Sequence, residues 1–154
     1  MWYPPHVRFQ PPTLKGLWMT GFLKLIWKWG YEGFRRLSTE FEGHVDRMGR
    51  EAFAAKGRSI EEGLLLVLLA VEEEHRGKGF ARKLVEDGAT FYPDAPLLLD
   101  TADVGTSQAY RKMGFEVVGE TRVGKGQCDD KGFELKKQER GTGDGLPLFV
   151  MVKW

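Results

Sequence analysis

Leu64-Leu65-Leu66-Val67-Leu68-Leu69-Ala70-Val71 runs directly into Glu72-Glu73-Glu74-His75-Arg76-Gly77-Lys78-Gly79-Phe80-Ala81. The aliphatic run is too short to cross a bilayer as a helix and reads as a strand covered on both faces, the mark of a mostly parallel sheet. The charged segment ends that strand, and from Gly77 a helical pattern carrying Phe80, Leu84, Val85 and Ala89 extends to about Phe91. Strand, glycine turn and helix form a phosphate-binding layout. Two glycines let the backbone approach a bulky anion, and the N–H groups and dipole of the first helical turn then hold it. A plain tight turn accounts for the same two glycines, so a second signal is needed.

Downstream, Pro93 and Pro96 bracket a turn and Leu97 to Asp100 reads as a second short buried strand. Thr106 to Met113 reads as a short helix stopped by Gly114, Phe115 to Val123 as a strand, and Leu146 to Trp154 as the closing strand. Residues 124–145, rich in glycine and charge, are expected to form a mobile loop. Upstream, four prolines in residues 1–13 exclude a helix interior there, and Met1 to Tyr3 suits the stub of a strand. Leu14, Trp18, Phe22, Leu25, Ile26 and Trp29 recur at helical spacing. So do Phe34, Leu37, Phe41, Val45 and Met48 within 31–55, although Gly43 and Gly49 weaken the continuity of that second helix.

Composition bounds the function. The 154 residues suit a single domain, taken as 1–154 with a Pro- and Trp-rich helical extension over 1–60 and a cofactor-binding core over 61–154. A net charge of +1 disfavours charge-driven nucleic-acid binding. No signal peptide or transmembrane run is evident, and the single cysteine, Cys128, excludes an intrachain disulfide, so a reducing, cytoplasmic setting is expected. Charge divides unevenly: residues 1–60 carry net +5 and residues 61–154 net −4. Eleven of the nineteen aromatic residues also lie in the first part, so that part needs a surface to cover. The surface is either the sheet of its own chain or, for the helix bearing Trp18, Trp27 and Trp29 with three lysines, a membrane interface or partner protein.

The second signal is Gln108-Ala109-Tyr110-Arg111-Lys112-Met113-Gly114-Phe115-Glu116. Paired with the glycine turn, it resembles the GNAT superfamily of acyl-CoA-dependent N-acetyltransferases. The family's Arg/Gln-x-x-Gly-x-Gly/Ala turn matches Arg76 to Ala81, and its Tyr-x-x-x-Gly-Phe signature matches Tyr110 to Phe115. The Trp-x-Pro-Pro stub before two helices resembles a fungal-type branch. The resemblance implies an α/β (α+β) GNAT-like fold with a mixed sheet, N-terminally shortened, since two or three strands and two helices ordinarily precede this element. On that reading the exposed sheet edge favours a homodimer.

The implied chemistry is attack by a small-molecule or peptide amine on the thioester of acetyl-CoA. Leu69, Ala70 and Val71 are expected to pair with the pantetheine arm, between strands that splay apart from Leu97–Asp100. Arg76, Gly77, Lys78, Gly79, Phe80 and Ala81 are expected at the pyrophosphate, and the backbone N–H near Val71 at the thioester carbonyl. Tyr110 is the candidate general acid for the leaving thiolate; its alternative is a core tyrosine on a short helix. The general base is Glu72 or Asp100. The sequence departs from the family at Glu73, where proline is usual, and lacks the asparagine that often precedes the tyrosine, Asp103 or Thr106 standing nearest. His6, His44 and His75 lack partner spacing, and no metal site is indicated. The alternative function is a catalytically inactive acyl-CoA-binding or docking module.

Overall fold

The computed structural model describes residues 1–7, 18–19, 21–22, 24, 27–28, 30, 41–136 and 138–154. The expected helix over 14–29 and the part of the second helix before residue 41 therefore lie mostly outside the described residues. Within them, Trp18, Met19, Phe22, Lys24, Trp27 and Lys28 are helical. The complete elements are β1 (Trp2–Tyr3), α1 (Glu42–Ala55), β2 (Leu64–Leu66), α2 (Phe80–Thr90), β3 (Leu97–Thr101), α3 (Val104–Arg111), β4 (Glu116–Val123) and β5 (Leu146–Lys153).

The strands form one five-stranded mixed sheet in the order β1-β2-β3-β5-β4. Only β2 and β3 run parallel; β1–β2, β3–β5 and β4–β5 are antiparallel. The apolar run at residue 64 thus reflects helices on both faces rather than a mostly parallel sheet. Alternation along the central strands shows this directly. Leu64, Leu66, Leu97, Leu99, Phe149 and Met151 pack in one layer with Val85 of α2 and Tyr110 of α3. Leu98, Val150 and Val152 pack in the other with Phe53 of α1 and Ile60. Each face removes its own aliphatic set from water, the main favourable term for a domain of this size.

Several boundaries differ from expectation. β2 stops at Leu66 instead of continuing to Val71, and Val67 and Leu68 are exposed. The reason is loss of a neighbour: β2 and β3 are paired at Leu64–Leu97 and Leu65–Leu98, while β3 goes on alone with β5 to Thr101. α3 begins at Val104, two residues earlier than expected, because Asp103 caps it by accepting the Thr106 N–H at 2.6 Å. Trp18 and Trp27 are exposed. Of the two surfaces open to them, these two side chains do not cover the sheet, both faces of whose central strands are already covered.

Candidate active site

The turn after β2 is built from local backbone bonds. His75 N–H donates to Glu72 O at 2.9 Å and Arg76 N–H to Glu73 O at 3.1 Å, folding the Glu72–Glu74 run into a short helical turn. The Arg76 side chain then reaches back, its Nε donating to Val71 O at 3.3 Å. Gly77 (φ 74°) and Gly79 (φ 82°) both take the left-handed conformation, and a Cβ on either would meet no atom within 4 Å. The turn therefore needs glycine for backbone geometry and leaves open space above it.

Gly79 is the N-cap of α2, and no side chain caps the helix. The first backbone bond of this end runs from Lys83 N–H to Gly79 O at 3.1 Å, which leaves the N–H groups of Phe80, Ala81 and Arg82 without partners among the described residues. Those donors and the positive end of the helix dipole point at anion chemistry. Beside them lies a cleft of about 460 Å³. One wall is Val71 with the turn and the first residues of α2; the other is Ala109, Lys112 and Met113 at the end of α3. Arg76, Arg82 and Lys112 line it and no carboxylate does. A polyphosphate-bearing ligand such as CoA fits this donor set.

The structure gathers Val71, Arg76, Gly77, Gly79, Phe80 and Ala81 at this cleft but not every residue expected there. Leu69 and Ala70 line a separate apolar groove of about 420 Å³ that also includes Trp2, Leu84 and Phe91. Lys78 is exposed and does not line the cleft. The lining residues that sequence reasoning missed are His75, Arg82, Ala109, Lys112 and Met113. Three of these stand inside the quoted tyrosine motif, where their helical spacing from one another was the available signal.

Tyr110 has its ring in the core, 8 % exposed and edge-on to Phe115 with centroids 5.4 Å apart. Burial, and after it the charge of Asp100, raises the phenol above its ordinary pKa. No described side-chain oxygen is both buried and unpaired, so the hydroxyl, which has no hydrogen-bond partner among the described residues, touches solvent. Asp100 lies two residues beyond the last β3 residue that pairs with β2, and burial raises its carboxyl above the usual range. Alternation places Asp100 on the face of Leu98, opposite Tyr110. Glu72 is exposed, its carboxylate 4.0 Å from His75 Nε2, and none of Tyr110, Asp100 and Glu72 lines the cleft.

His75 is less isolated than its sequence spacing suggested, with Nε2 3.3 Å from Glu74 and its ring edge-on to Phe80 at 5.8 Å. Glu72, Glu74 and His75 bring ligand atoms within 4.8 Å of one another, and all three are exposed. Asp103, nearest the missing asparagine, is occupied as a helix cap, and hydrogen bonds from Thr106 hold its carboxyl below the usual range. Cys128 is half-buried, its thiol donating to Gly124 O at 3.4 Å. It sits in the 124–145 excursion, which is tied by bonds such as Leu135 N–H to Gln127 O at 2.9 Å.

Residues 42–117, from α1 into β4, match the family described as "Acetyltransferase (GNAT) domain". No curated protein gives a significant match to the chain. Among solved structures, it is similar to a protein of Agrobacterium tumefaciens assigned as an acetyltransferase, at 22% identity and TM-score 0.41 over 60% of this chain. It is also similar to the IAA acetyltransferase of Bacillus cereus ATCC 14579, at 23% identity and TM-score 0.41, again over 60% of this chain. The chain spans 56% and 61% of the lengths of those two structures.

Proposed function

We propose that the chain is an N-acetyltransferase that moves an acetyl group from acetyl-CoA to a primary amine. The observation that carries this reading is the set of unpartnered N–H groups of Phe80, Ala81 and Arg82 beside a cleft with no carboxylate in its lining. Acetyl-CoA supplies an activated thioester, so positioning and proton handling are the main tasks left to the protein. The Gly77–Arg82 backbone holds the phosphates, and the Val71 N–H, unpartnered among the described residues, donates to the thioester carbonyl oxygen.

The acceptor reaches the thioester from the Leu98 face through the gap where β2 and β3 part. Asp100, made more basic by burial, takes the proton that the amine loses as its C–N bond forms. Tyr110, kept protonated by burial, gives its proton to the sulfur as the C–S bond breaks. Solvent restores both groups. The core position of the Tyr110 ring favours a second reading, an inactive CoA-binding module, and one variant separates the two. Tyr110→Phe should leave CoA affinity within about twofold and lower amine-dependent thiol release from acetyl-CoA by about 10²–10⁴-fold. Full turnover in that variant overturns the acid role. Calorimetry showing no CoA binding by the unchanged chain overturns both readings.

A further inference from the structure

The second wall of the cleft presents a charge problem. It is the C-terminal end of α3, where the last carbonyls carry the negative end of the helix dipole, the wrong sign beside a bound phosphate. Lys112 is the C-cap, and its carbonyl accepts a 2.8 Å hydrogen bond from Arg82 Nη2, a residue of the opposite wall thirty positions earlier in the chain. Both residues line the cleft. The other guanidinium edge lies 4.0 Å from Glu86 Oε1, one turn along α2, with both side chains more than half exposed. Val85 of α2 and Tyr110 of α3 share a core layer below, and this bond joins the two walls across the cleft itself.

We infer that Arg82 is a positioning residue of the cleft: it ties α2 to the end of α3 and offsets the partial negative charge of the Lys112 carbonyl next to the phosphate site. The inference rests on the CoA reading above. It separates two cations that look alike in sequence. Lys78 is exposed and outside the cleft lining, whereas Arg82 is part of that lining. Because Arg82 acts on ligand affinity through charge and a donated hydrogen bond, a lysine in its place keeps both in part.

Calorimetric titration with CoA of the full chain and of its Arg82→Ala and Arg82→Lys variants tests this. Arg82→Ala should bind about tenfold more weakly, Arg82→Lys should recover to within about threefold of the unchanged chain, and the thermal midpoints of all three should agree within a few degrees. Binding by Arg82→Ala within twofold of the unchanged chain overturns the assignment and leaves the CoA reading standing. Equal losses in the alanine and lysine variants overturn it as well. No binding by the unchanged chain removes the CoA reading and this inference with it.

Discussion

Asp100 and Asp103 lie three residues apart and respond to their surroundings in opposite ways. Burial raises the Asp100 carboxyl, so the folded state disfavours its charge. Below the ordinary carboxylate pKa both folded and unfolded chains hold the proton and nothing is lost; as pH rises through the raised folded value, stability falls. Asp100→Asn should therefore melt higher than the unchanged chain near neutral pH and converge with it in acid, while its acetyl transfer drops by about 10²–10⁴-fold if the carboxylate is the base. Parallel melting curves between about pH 4 and pH 8 would contradict the burial argument. The Asp103 carboxyl is lowered by its Thr106 hydrogen bonds, so its contribution is present above the ordinary carboxylate range and is lost as pH falls through the lowered value. Removing this cap in Asp103→Ala should cost about 1 kcal/mol at neutral pH in chemical denaturation and less in acid.

The elements meet through glycines as much as through apolar side chains. Gly88 of α2 lies under the Trp2 indole of β1, and a Cβ there would overlap the ring. Gly88→Ala should lower stability by about 1–3 kcal/mol, and the loss should vanish when Trp2 is also alanine. Equal losses in both backgrounds would show that Trp2 does not set the constraint. The type and order of elements from Leu64 onward were legible because aliphatic runs, glycine stops and the Tyr110 motif are local signals. The length of β2 was not: Val67 to Val71 are as apolar as Leu64 to Leu66, and only the absence of a paired neighbour separates them. Of the residues expected at the candidate cleft, Val71, Arg76, Gly77, Gly79, Phe80 and Ala81 line it, while Leu69, Ala70 and Lys78 do not. Arg82 was missed because its partner, the Lys112 carbonyl, is a backbone atom that no residue type reveals.

At the scale of the molecule, a two-sided sheet carries a one-sided site. Helices cover both faces of the central strands, and the sheet opens where β2 loses β3 as a partner, between the layer holding Tyr110 and the layer facing Asp100. On the proposed reading, the backbone of the Gly77–Arg82 turn, rather than side-chain charge, takes the phosphates of CoA. Gly79→Val, which forces a branched side chain into a left-handed conformation at the mouth of the cleft, should weaken CoA binding far more than Lys78→Ala does. The most direct measurement is an amide NMR titration of the full chain with CoA. The largest shifts should fall on the N–H groups of Gly77 to Arg82, with smaller ones at Ala109 to Met113. Saturable binding with those amides unmoved, or no binding at all, would contradict it.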